Sequence, residues 1–234
     1  MIENLPQYIS TTFIITAFLT VGIFLYAVKR SVFATRPAKI LTFLLAFWII
    51  FQAFAGLSGF YLRTDVLPPR LILFGVLPAF LTVIAYFIFA RKNFIEKLPL
   101  QILTILHIIR IPVEIVLLWL FQNKMIPQEM TFEGRNFDIL VGITAPIIAW
   151  LAFRNDKINR PLLIIWNLAA LGFLINIVTH AVLAFPFPFQ QIAFDQPNRA
   201  FLYFPFVWLP TLIVPIVLLS HLASLWQLLK KPEN

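Results

Sequence analysis

The sequence predicts an all-α fold: a polytopic membrane helix bundle of seven transmembrane helices, N-terminus outside and C-terminus cytoplasmic. Three observations predict it. Hydrophobic residues make up 61% of the 234 and charged residues 12%, against roughly 45–50% and 25% in soluble domains. The apolar residues gather into about seven stretches of the ~17–25 residues that a bilayer crossing needs. The basic residues alternate in density from one chain turn to the next. Mean hydropathy is +0.90, and the loops are too short to hold a second domain. The whole chain, 1–234, reads as one integral membrane unit.

The first stretch runs from near Ile9 to Val28 and stops at Lys29-Arg30. The N-terminus has no basic leader and no small-residue cleavage site, so this span reads as a retained anchor. The second runs from Ile40 to Leu62 and contains Trp48, Gln52, Gly56 and Gly59. The third is Leu71 to Ala90, followed by Arg91, Lys92 and Lys97. The fourth is Leu98 to Phe121. The fifth, Phe137 to Phe153, is the shortest, with Asp138 at its entrance and Pro146 inside. The sixth, Pro161 to Ala184, contains Trp166, Asn167, Asn176 and His180. The seventh, Leu202 to Leu228, contains Pro205, Pro210, Pro215 and His221.

Orientation follows from Lys and Arg, which accumulate on the cytoplasmic side. One side holds Lys29, Arg30, Arg36, Lys39, Arg91, Lys92, Lys97, Arg154, Lys157, Arg160, Lys230 and Lys231. The other holds Arg63, Arg70, Lys124, Arg135 and Arg199. The richer side is therefore cytoplasmic. Glu3, Asp65, Glu129, Glu133 and Asp195 fall in outer segments, and the expected location is a bacterial inner membrane. The net charge of +8 does not signal nucleic acid, because the cations sit in short runs at span ends rather than on a basic face. Cysteine is absent, which removes disulfides, thiolate metal sites and cysteine nucleophiles.

The fourth stretch carries the chemistry. His107, Arg110 and Glu114 lie in its middle, and at ~100° per residue they share an arc of roughly 60°. A charge at that depth costs about 2.5 to 17 kcal/mol, so this stripe faces something other than lipid. A depth estimate at ~1.5 Å per residue groups Glu114, Asp138, Asn176 and His180 in the outer half, with Arg110 near the midplane. His107 and His221 fall inward as a second group. Glu114 is the expected acid/base, His180 its proton partner and Arg110 an orienter or anion anchor. Asp138, Asn176 and Arg135 would shape the mouth, and His107 and Gln52 are further binding residues. The structural alternative is an internal Arg110–Glu114 pair with helix-joining hydrogen bonds.

No metal site and no cofactor are expected. A haem held between His107 and His221, at similar depth, is the alternative. The outer connections 122–136 and 185–199 are long and mixed in composition. The FPFPF run cannot be helical, because Pro186 and Pro188 lack donors and restrict their predecessors. It is expected to fold over the bundle as a lid or to sit as an aromatic belt at the interface.

The topology of seven spans with an outer N-terminus resembles that of microbial rhodopsins. No lysine lies within the last span to form a retinal Schiff base. Ile111-Pro112-Val113-Glu114 resembles part of the Pro-x-Glu-Glu motif of the small polytopic lycopene cyclases, with Ile115 at the second Glu. That resemblance implies membrane-buried carboxylates that drive proton chemistry. The function expected is a membrane-embedded binding or catalytic site for a lipid- or isoprenoid-like molecule. The choice between binding and catalysis stays open, and membrane lipids are the expected partners. A proton-coupled transporter or permeation pathway is the rival, and it requires an aqueous path inward past His107 and His221. A seven-helix receptor or scaffold is the third reading, and it requires no cavity.

Overall fold

A computed structural model of the chain describes residues 2, 4–154 and 157–230. The orientation residues Glu3 and Lys231 lie outside the described residues. The fold is all-helical, with 73% of residues in helix and no strand among the described residues. Among the described residues, six helices are long and apolar enough to cross a membrane: α1 (Gln7–Ser31), α2 (Arg36–Leu57), α3 (Ile72–Phe89), α4 (Leu100–Gln122), α6 (Arg160–Leu183) and α7 (Leu209–Leu229). Between α4 and α6 lies α5 (Asp138–Ala152), apolar but only 15 residues long. That is about 22 Å of helix against roughly 30 Å of hydrocarbon.

Local chemistry sets the ends. At α2, Thr35 Oγ1 accepts the Ala38 N–H, and Pro37 occupies the first turn, where its missing donor costs nothing. This starts the helix four residues before the expected Ile40. It stops at Leu57 rather than Leu62, because Gly59 takes φ +73°, a left-handed conformation suited to glycine. Asn159 Oδ1 accepts the Leu162 N–H at 3.2 Å to cap α6. The last helix begins at Leu209 rather than Leu202. Ala200–Leu202 forms a separate 3-10 turn, Pro205 interrupts the chain after it, and Pro210 sits in the first turn of the last helix, where its missing donor costs nothing.

Two helices open with a π-turn, and both turns precede a proline by the same interval. Ile72–Val76 precedes Pro78, and Leu209–Ile213 precedes Pro215. Each proline has no N–H for the carbonyl four residues back. Those carbonyls, on Phe74 and Thr211, both accept side-chain donors from α2. Gln52 Nε2 donates to Phe74 O at 3.0 Å and Trp48 Nε1 to Thr211 O at 2.8 Å. Trp48 and Gln52 are four apart and share one helix face. The turns cross closely: a Cβ on Gly75 would lie 2.8 Å from Thr211 Cγ2.

Helix α7 is the most buried, with 67% of its most apolar window covered, against 22% in α2 and α3. It packs against α3, α4 and α6, while α5 packs on α4 and α6. Phe43, Ile50 and Phe54 on the outer face of α2 are 70–73% exposed. So large an apolar face suits lipid rather than water.

The two long connections are folded down. Met130, Thr131 and Asn136 of 122–136 are buried. In 185–199, Phe185 and Phe187 stack at 4.9 Å and are buried. Gln196 Nε2 donates to Phe121 O and Ile126 O, and Asn198 Nδ2 to Ala181 O. The segment is thereby tied across the ends of α4 and α6.

Candidate functional site

The site forms where α4 is irregular. His107–Ile109 is a 3-10 turn inside α4. Pro112 follows and has no N–H for the Ile108 carbonyl, which explains the local change of winding. His107 and Arg110 flank this turn. Opposite them, Gly142 lets α5 approach. A Cβ there would lie 2.8 Å from Ile111 Cγ1, 3.0 Å from Ile111 N and 3.4 Å from Arg110 Cβ. Asp138 stands one turn before Gly142 on the same face, so the close approach delivers its carboxylate to Arg110.

Arg110 Nη1 donates to Asp138 Oδ1 at 2.9 Å and to Ala170 O at 3.4 Å. Its Nη2 lies 3.0 Å from His221 Nε2. A guanidinium has only donors, so His221 Nε2 accepts and the ring proton sits on Nδ1. That Nδ1–H donates to Asn167 Oδ1 at 2.8 Å, and Asn167 Nδ2 donates to Leu163 O. The hydrogen-bond pattern is self-consistent with a neutral His221. On the other side, Asn136 joins the two carboxylates. Its Nδ2 donates to Glu114 Oε1 at 2.6 Å and to Met130 O at 3.1 Å, and its Oδ1 accepts the Asp138 N–H at 3.0 Å.

The network thus runs Glu114, Asn136, Asp138, Arg110, His221, Asn167. Every member is at most 6% exposed. The ring of His107 stacks on that of His221 at 3.9 Å and 17°, with Trp166 at its edge. In the network and its stacked His107, both ring nitrogens of His107, Arg110 Nε and Glu114 Oε2 have no partner among the described residues.

Glu114 and Asp138 also line a cavity of about 260 Å³ between α3, α4, α6 and α7. All its other lining residues are apolar, among them Phe80, Leu117, Leu174, Ile177 and Phe201. A second cavity of about 230 Å³ lies between α1, α2, α3 and α7. Its polar atoms are already engaged: Trp48 N–H on Thr211 O, Thr82 on Pro78 O, Tyr86 on Pro37 O and Thr211 Oγ1 on Val207 O. The Glu114 cavity therefore offers an unpaired polar atom and the second does not.

A family described as a domain of unknown function (DUF8737) matches residues 67–229. The chain belongs to that family. No curated protein and no solved structure matches the chain. The stretch matched to DUF8737 spans α3 to α7 and contains every residue of the network.

The structure brings together Arg110, Asp138 and Glu114, and places His107 against His221. It does not bring in the other expected residues. His180 is half-buried, and its Nδ1 lies 2.9 Å from the carbonyl of Asn176 on its own helix. Asn176 Nδ2 donates to the backbone of Arg135 at 2.7 Å, and the Arg135 side chain is exposed. Gln52 holds the α3 π-turn and accepts the Tyr61 hydroxyl at 2.7 Å, away from the network. The Arg110–Glu114 pair of the structural alternative does not form, and Arg110 pairs with Asp138 instead. A haem does not fit between His107 and His221, because their rings lie in van der Waals stacking rather than opposing nitrogens across a gap. Among the described residues, no three His, Asp or Glu converge to hold a metal.

Asn136 and Asn167 are the network members that sequence reasoning left out. Asn136 had a local signal: an Asn two residues before a helix-starting Asp can accept that residue's backbone N–H.

Proposed function

We propose that this chain is a membrane protein that holds an apolar or amphipathic, lipid-like molecule in the cavity at Glu114. The observation that carries the reading is Glu114, buried with Oε2 unpartnered, lining with Asp138 a cavity that is apolar apart from these two carboxylates. Ligand sites characteristically combine apolar walls with a few placed polar groups, and intramembrane carboxylates are functional by default. Glu114 is the polar contact and the acid/base should the ligand react. Asp138 and Arg110 hold the geometry, and Asn136 orients Glu114.

In this reading α5 is a seventh, short span, supported on both sides by α4 and α6. The N-terminus is outside, the C-terminus cytoplasmic, and the membrane a bacterial inner membrane. The long connections 122–136 and 185–199 then cover the outer end of the cavity. His107 and His221 are fully buried, which favours a site closed on the inner side over a through-path.

Photolabelling tests the reading. A long-chain diazirine probe should label peptides containing Val113–Leu117 and Leu174–Ala181, and an excess of unlabelled long-chain competitor should block it. Uniform labelling of lipid-facing α2, with no competition at α4 and α6, would contradict it. A second reading, a proton pathway, is favoured by one observation: His107 keeps both ring nitrogens unpaired beside a network that reaches Glu114. Proton uptake into liposomes that His107→Leu abolishes would support it.

A further inference from the structure

The charge arrangement narrows the ligand class, granted the cavity reading above. Arg110 has a carboxylate partner in Asp138, and its Nη atoms are taken up by Asp138, Ala170 O and His221. Its Nε is unpaired, but Arg110 is not among the cavity-lining residues. Glu114 receives one amide N–H, from Asn136, and among the described residues no cation lies within ion-pair distance of it. The wall seen by a ligand therefore carries two carboxylates and no cation.

A fatty-acid carboxylate or a phosphate headgroup would bring an anion to a wall whose ionisable side chains are both carboxylates, while Arg110 is turned away to Asp138 and His221. A molecule bringing its own cation would supply what Glu114 lacks. We infer that the site takes a lipophilic amine, its ammonium donating to Glu114 Oε2 and its chain filling the cavity along Leu117, Leu174 and Ile177. Hydrogen bonds to charged groups are among the stronger ones, and Glu114 lines the cavity with its Oε2 unpartnered. The chain's overall charge of +8 would draw anions to its surface and repel amines. A preference for amine would therefore be a property of the site and not of the surface.

The test uses three probes of equal chain length: dodecylamine, dodecanol and dodecanoate. Each is titrated against the full chain in an uncharged maltoside detergent, with apparent affinity read from thermal unfolding. The expected result is amine binding roughly ten- to a hundredfold tighter than the alcohol, with the difference lost in Glu114→Gln. Val178→Phe, at the cavity edge, should weaken amine and alcohol alike. If alcohol or dodecanoate matches the amine while Val178→Phe still weakens all three, the cavity stands and the amine class is overturned. If no probe responds to Val178→Phe, the cavity reading itself fails. Should Glu114→Gln not fold, the amine-to-alcohol ratio in the unaltered chain and its response to Val178→Phe still decide.

Discussion

Arg110 and Asp138 form a buried ion pair, Nη1 to Oδ1 at 2.9 Å, with side chains 3% and 9% exposed. It links the break in α4 to the first residue of α5. Removing one partner of such a pair typically costs about 3–5 kcal/mol, because the other charge stays buried alone. Asp138→Asn should therefore lower the unfolding midpoint sharply. The double variant Arg110→Met, Asp138→Leu should recover much of the loss. Thermal unfolding in detergent of the parent, the single variants Arg110→Met and Asp138→Leu and the double variant checks this, and additive losses would contradict it.

Gly142 sets the distance across which that pair forms. Gly142→Ala places a methyl 2.8 Å from Ile111 Cγ1 and 3.0 Å from Ile111 N. The backbone nitrogen cannot turn aside, so α5 must shift. Overpacking of this kind costs about 1–3 kcal/mol. The expected outcome is reduced stability together with weaker ligand retention. Gly172→Ala is the control, since nothing lies within 4 Å of a Cβ there.

The bridge from Gln52 to Phe74 O predicts a compensating pair. Gln52→Leu leaves the carbonyl and the Tyr61 hydroxyl without their partner, at a cost of about 1–3 kcal/mol. Pro78→Ala restores an N–H that can serve the carbonyl, so it should relieve part of the loss. A double-mutant cycle on unfolding free energies reads the coupling. A coupling near zero would mean that the proline does not create the need for Gln52.

At the basic end of the bundle, Glu96 accepts from Trp226 Nε1 at 3.1 Å and Lys230 Nζ at 3.1 Å. These hydrogen bonds, the Trp226 one first, hold its carboxyl below the ordinary 4.5. A lowered folded-state value means stabilisation that is complete above 4.5 and lost as pH falls through the folded value. The contact is near the surface, so the effect is modest and weakened by salt. Unfolding midpoints between pH 7 and pH 3 should fall less steeply in Glu96→Gln than in the parent. Parallel curves would remove Glu96 from the account.

Much of this was legible in the sequence, because apolar length and basic-residue placement are properties of single stretches. The stripe of His107, Arg110 and Glu114 was legible for the same reason: one helix sets their spacing. Partners across helices were not. A shared outer-half depth grouped His180 with Glu114, but depth says nothing of the direction a side chain faces. Conversely, depth placed His221 in an inner group apart from Arg110, yet a long guanidinium bridges that difference. Asn136 lies in a connection without periodicity, so no face could be assigned to it. The two π-turns follow from prolines that the sequence displayed, but their donors, Trp48 and Gln52, come from another helix.

The central claim is that the Glu114 cavity holds a lipid-like molecule. Native mass spectrometry of the gently purified chain, with its absorption spectrum, tests it most directly beside Glu114→Gln. The account predicts a co-purifying adduct of defined mass on the parent, reduced or absent in the folded variant. Identical, adduct-free spectra for both proteins, retained after incubation with the three dodecyl probes, would contradict it.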